Sequence, residues 1–268
     1  MVRVRDISTR LLGTVAAVAV GVSALACSDA TTPTGPDEGN GDPSVTFDSR
    51  ATAGDSARSF LDDRRFTVLA VEVDYMEGYE PKASALDSMK VSLEKHLHKS
   101  AIEIGEPTSV PARGKNAYTV EDVVGLEEEY RDHYTRAESD TIWAYFLIVD
   151  GEFSEDRVLG IAYFNTSMAF FGKTIHEISG GPTQPTREKV EGTVFRHEFG
   201  HILGLVEAGT SMQQDHRDEA NGHHCTNEQC LMYYAIETTD YFSNLFDGTI
   251  PEFEQFCSED LAANGGVD

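Results

Sequence analysis

Two runs of the chain are almost uninterruptedly apolar, Phe66-Thr-Val-Leu-Ala-Val-Glu-Val73 and Trp143-Ala-Tyr-Phe-Leu-Ile-Val149, and both read as buried strands. Between them the spacing changes. Ala85, Met89, Leu93 and Leu97 recur every four residues, so residues 82–97 read as a helix with one apolar face. Lys95, His96, His98 and Lys99 crowd its end, where positive charge suits the helix dipole, and the two histidines are expected to be exposed there. Residues 101–104 read as a short strand, 119–134 as a second helix with acidic residues early, and 159–164 as a further strand that 169–171 extend or pair with. A third helix covers residues 185–205, opened by Thr183, Gln184 and Pro185 and stopped at Gly204. A polar, acidic loop at 207–222 and a short helix at 251–262 follow. The order strand, helix, strand, helix, strand, strand, helix predicts an α+β fold, a mixed sheet with helices packed on it. No internal repeat is visible, and no glycine-rich phosphate loop precedes a helix, which argues against a nucleotide enzyme.

The start of the chain follows another pattern. Arg3, Arg5 and Arg10 precede an apolar run over residues 11–26, too short for a membrane span and rich in small residues, so residues 1–26 read as a secretory signal peptide. Ala24-Leu25-Ala26-Cys27 resembles a bacterial lipobox, with Ala24 where Leu is usual. That resemblance implies export and a lipid anchor on Cys27 at the cell envelope; the alternative is ordinary cleavage near Ala26 and secretion. Residues 27–58 are rich in Thr, Pro, Gly, Asp and Ser, lack apolar periodicity, and read as a flexible tether. The rest of the chain divides into residues 59–205, which end on the third helix, and a smaller irregular part over 206–268.

Composition narrows the possible partners. Of 268 residues 40 % are hydrophobic, enough for a real core. A formal charge of −25 repels phosphate backbones, so nucleic acid is not an expected partner. Apart from Cys27 there are three cysteines, Cys225, Cys230 and Cys257. Three thiols cannot all pair within one chain, so one is free or metal-bound, and the pairing is open.

The third helix carries the chemistry. It contains His197-Glu198-Phe199-Gly200-His201, an H-E-x-x-H pattern. Positions four apart on a helix share a face, so His197 and His201 can bind one zinc ion, with Glu198 beside the bound water as general base. The alternative is a helix whose histidines only pack in the core. A catalytic zinc needs a third protein ligand and an open fourth position. His224 is the leading candidate for the third, His216 the main rival, and Glu207 and His223 stand behind them.

Two stretches together, His197-Glu198-Phe199-Gly200-His201-Ile202-Leu203-Gly204 and His224-Cys225-x4-Cys230-Leu231-Met232, resemble the metzincin zinc peptidases, above all the archaemetzincin branch. The resemblance implies a metzincin-like twisted mixed sheet, a zinc-binding active-site helix closing a catalytic subdomain over 59–205, and a C-terminal subdomain supplying the third ligand. It implies zinc on His197, His201 and His224, and makes Met232 the apolar floor beneath the ligands. It also matches Tyr234 to a tyrosine that some members place near the metal; a buried core tyrosine is the other reading. The chain departs from the pattern at Glu207, which stands where the third ligand usually follows the motif glycine, so a loop is inserted before His224. That branch also holds a structural zinc with a downstream C-x-x-C. Only Cys257 lies downstream here, so no second zinc is expected, and export favours a disulfide.

The function expected is zinc-dependent hydrolysis of peptide bonds in a peptide or protein substrate, with Glu198 moving the protons and the 159–164 strand holding the substrate by edge pairing. The alternatives are a catalytically silent zinc-containing surface binding protein and a zinc hydrolase acting on other carbonyl substrates.

Overall fold

The two apolar runs lie side by side. In the computed structural model, which describes residues 47–155, 157–242 and 249–267, β1 (Val68–Met76) runs parallel to β5 (Thr141–Val149), with Ala70 opposite Trp143 and Val73 opposite Phe146. On the other side of β1 lie β2 (Ala101–Ile104) and, further along, β3 (Thr108–Val110), both parallel to it. β8 (Ser167–Phe171) lies parallel beside β5, and β7 (Gly160–Phe164) runs antiparallel to β8, giving the order β2-β1-β5-β8-β7. β4 (Ala117–Tyr118) and β6 (Glu152–Phe153) form a separate parallel pair.

Both faces of this sheet are covered, which is why β5 needs no polar alternation. Ala144, Phe146 and Ile148 join Val71, Val73, Met168 and Phe170 in the cluster packed against α2 (Ala83–His96) and α5 (Arg187–Ile202). Tyr145, Leu147 and Val149 join Ala169 and Phe171 on the opposite face, against Val123 and Leu126 of α3 (Val120–Tyr130). A capping box between Thr119 and Asp122 starts α3. Residues 131–134, expected in its last turn, leave the helix because the Asp132 and His133 N–H groups donate to the Glu72 carboxylate. The architecture is α+β: a mixed, mostly parallel sheet with packed helices.

Beyond α5 only short helices occur among the described residues: a 3-10 turn at Tyr234–Glu237, then α6 (Thr239–Phe242) and α7 (Gln255–Ala263). Their apolar residues Ile236, Phe242 and Leu261 belong to the same cluster as α2 and α5, so the main core crosses the 205/206 boundary. The remaining helices are α1 (Ala57–Leu61) and α4 (Gly172–Glu177). No helix among the described residues is long and apolar enough to cross a membrane.

Three expectations need comment. The signal segment, Cys27 and the tether up to residue 46 lie outside the described residues. The rest of the stretch read as a tether, residues 47–58, packs on the domain: Asn165 donates to the Asp48 carbonyl and Ser56 hydroxyl, Thr166 to the Ser49 carbonyl, and Ala57 is buried. His96 is buried, not exposed, because Phe253 packs on its ring and the Val267 N–H donates to its carbonyl; His98 is exposed as expected.

Two outcomes follow from this packing. Phe146 packs on Phe170, Phe195 and Phe199. Phe146→Ala should cost about 3–5 kcal/mol, read from the urea midpoint at unchanged m-value. Burial, reinforced by Lys95 and Arg196 and only partly offset by Glu252, lowers the His96 pKa from 6.5 to about 4. The unfolded chain therefore takes up a proton near pH 6.5 that the folded one refuses, and this contribution to stability is lost as pH falls from 6.5 towards 4. The melting-temperature advantage of wild type over His96→Gln should shrink over that window; a constant difference would assign the loss elsewhere.

Candidate metal centres

α5 is held on nearly every side. Thr186 caps it by accepting from the Lys189 N–H, and every residue from Val190 to Gly200 is buried. The helix starts at Arg187, two residues after Pro185, and stops at Ile202. Gly204 then takes φ +74°, where a Cβ would meet the Ala57 Cβ at 2.8 Å. Val206 and Glu207 also have positive φ. This sharp turn carries Glu207 away from the helix to an ion pair with Arg217.

His197 and His201 lie one turn apart on α5, with ring centroids 5.0 Å apart. His224 stacks on His197 at 5.3 Å and lies 5.0 Å from His201. His197 Nδ1 lies 2.6 Å from the Leu231 carbonyl, and His224 Nδ1 lies 2.6 Å from the Asn221 carbonyl. A carbonyl only accepts, so each Nδ1 donates and each neutral ring keeps its lone pair on Nε2. All three Nε2 atoms converge on one point. Glu237, which the motif pattern did not include, completes the group: its Oε1 lies 3.3 Å from His197 Nε2, 3.1 Å from His201 Nε2 and 3.0 Å from His224 Nε2. These four side chains form one cluster of potential metal donors.

Glu198 is fully buried beside them, and neither carboxylate oxygen makes a hydrogen bond of normal geometry. Burial first, then the Glu237 charge, pushes its pKa well above the usual carboxylate range. Burial lowers the His201 pKa to about 4. β7 passes so close that a Cβ on Gly160 would lie 2.9 Å from Glu198 Cγ. Below α5, Met232 packs onto Gly200, where a Cβ would collide with its sulfur. Met232 thus forms an apolar floor under the helix. Tyr234 is half-buried against Tyr233.

His216 is not in this cluster. It is buried elsewhere, with Nε2 2.8 Å from Asp260 Oδ2 and Nδ1 3.3 Å from Cys225 Sγ. His223 Nδ1 lies 2.9 Å from the Val206 carbonyl. The disulfide expected among Cys225, Cys230 and Cys257 is absent: all three are free, buried thiols. They gather around His216, with Cys257 Sγ 3.9 Å from His216 Nδ1 and 3.5 Å from Cys230 Sγ. The Cys230 and Cys257 thiols, then His216, hold the Cys225 thiol far below its usual range. A tetrahedral zinc site with thiolates at about 2.3 Å has edges of about 3.8 Å; His216, Cys225 and Cys257 form a second group of potential metal donors, and Cys230, beside Cys257, lies outside that group. Asp260 orients the imidazole from behind. The sequence signal for this group was the odd thiol; His216 could not be added to it because that contact depends on α7.

Sequence comparison adds no family. No family model matches the chain, and no curated protein matches it. Among solved structures, archaemetzincin from Methanopyrus kandleri aligns with 75 % of this chain and 96 % of its own, at 14 % identity and a TM-score of 0.48.

The cysteine cluster makes a measurable claim. Cys257→Ser should remove about one equivalent of divalent metal per chain and lower the melting temperature. Thiol titration of the unfolded, unreduced protein should find Cys225, Cys230 and Cys257 all reactive; a missing pair would indicate a disulfide.

Proposed function

We propose that the chain is a zinc-dependent endopeptidase whose metal is held by His197, His201 and His224. The observation that carries this reading is the convergence of three imidazole nitrogens next to a buried carboxylate, Glu198, which only the Ala162 backbone approaches and no hydrogen bond of normal geometry satisfies. A purely structural metal site has no use for such a carboxylate. When bound, zinc supplies a Lewis acid that polarises a carbonyl and acidifies water. Glu198 takes the proton of the attacking water and delivers it to the departing amide nitrogen.

The substrate is a peptide or protein held in extended form. Among the described residues β7 pairs only with β8, so its other edge can accept a further strand. Gly160 lets that strand lie directly against Glu198. The cysteine–His216 cluster, in this reading, holds a second, structural zinc. The leader pattern of residues 1–27 supports an exported protein, lipid-anchored through Cys27 or otherwise secreted.

One observation favours a second reading, a metal-holding surface protein without turnover: the Glu237 oxygen already touches all three imidazoles. The two readings separate on Glu198→Gln. In a peptidase this change should lower peptide-library cleavage by about 10²-fold or more while bound zinc stays constant. Undiminished cleavage by the variant would overturn the role assigned to Glu198.

A further inference from the structure

The place of Glu237 goes beyond a fourth residue near the site. In a tetrahedral zinc site with ligands at about 2.0–2.1 Å, neighbouring ligand atoms lie about 3.3 Å apart. The Oε1 atom of Glu237 stands 3.0, 3.1 and 3.3 Å from the three Nε2 atoms. These separations match those of a fourth vertex beside His197, His201 and His224. A catalytic metal keeps that vertex for water and substrate.

The backbone that carries Glu237 is also fastened. It closes the 3-10 turn Tyr234–Glu237, just after Met232. Ile236 is fully buried in the main core. The Leu159 N–H donates to the Glu237 carbonyl at 2.9 Å, and Thr238 forms an antiparallel bridge with Val158. The segment thus docks on the residues that lead into β7, the strand offered above as the substrate platform. One short stretch of this chain occupies the open vertex with its side chain and the approach to the platform with its backbone. Meanwhile the Glu198 carboxylate, buried within reach of the Glu237 charge, makes no hydrogen bond of normal geometry.

We propose that Glu237 is the fourth ligand of the metal centre, and that the Ile236–Thr238 segment keeps the centre latent until it is displaced. This rests on the metal-centre reading above, but not on turnover. Three imidazoles suffice to hold the ion, so removing the carboxylate opens the site rather than emptying it.

The test uses the full-length protein with its zinc exchanged for cobalt, and acetohydroxamic acid as the probe. Wild type should change its visible spectrum only at high hydroxamate concentration. Glu237→Ala should respond at a concentration at least about tenfold lower, because the competent fraction no longer limits binding. Any cobalt in the cysteine cluster contributes equally to both proteins and cancels in the difference. Glu237→Gln, which keeps the side-chain shape, repeats the comparison if the alanine variant does not fold. Equal response of wild type and both variants would overturn the proposal. Cleavage of a peptide library is read in parallel. Its appearance in Glu237→Ala and loss in Glu237→Ala/Glu198→Gln would support latency in a peptidase. An opened cobalt site without cleavage would leave Glu237 as the ligand and sink the peptidase reading instead.

Discussion

Two hydrogen bonds from imidazole to backbone carbonyl decide what this site can be. His197 Nδ1 is tied to the Leu231 carbonyl and His224 Nδ1 to that of Asn221. Without them each ring could turn or change tautomer, and the Nε2 atoms would not point at one spot. The Asn221 carbonyl belongs to the inserted loop and the Leu231 carbonyl to the stretch after it, so helix and loop are positioned by the same contacts that set the donors. Burial then raises the stakes. His197 and Glu198 are fully enclosed, and enclosed polar groups must find partners or cost stability.

The residues of this site divide by how far their partners lie along the chain. His197, Glu198 and His201 are readable because the helix repeat alone brings them together. The helix itself is readable from its cap and its stopping glycine, and the strands from their apolar runs. His224 came from a motif shared with a known family, not from periodicity. Glu237 was invisible: its position depends on Leu159 and Val158 receiving a turn from far downstream. His96 was misplaced for the same kind of reason, since Phe253 and Val267 cover what would otherwise be a helix end. Residues 47–58 have the composition of a tether, yet Asn165 and Thr166 satisfy their backbone groups. Composition reports how little a segment can bury on its own, not which surface will receive it.

The cysteines teach a related lesson. Compartment reasoning points to disulfides in exported chains, and it weighs only the thiols. Here the geometry is decided by His216, whose imidazole is clamped between Cys225 and Asp260. A nitrogen donor grouped with the Cys225 and Cys257 sulfurs offers a metal ion a mixed N and S donor set that the thiols alone do not.

Asp260 has a role beyond that clamp. Its second oxygen accepts from the Gln213 N–H at 2.6 Å, and nearby Asn264 donates to the Ser211 carbonyl at 2.9 Å. Helix α7 is therefore sewn to the inserted loop, and Cys257 on the same helix joins Cys225 beside His216. A helix well removed along the chain thus governs the metal site from a distance: without α7 the loop that delivers His224 loses the acceptor for the Gln213 N–H and the donor to the Ser211 carbonyl.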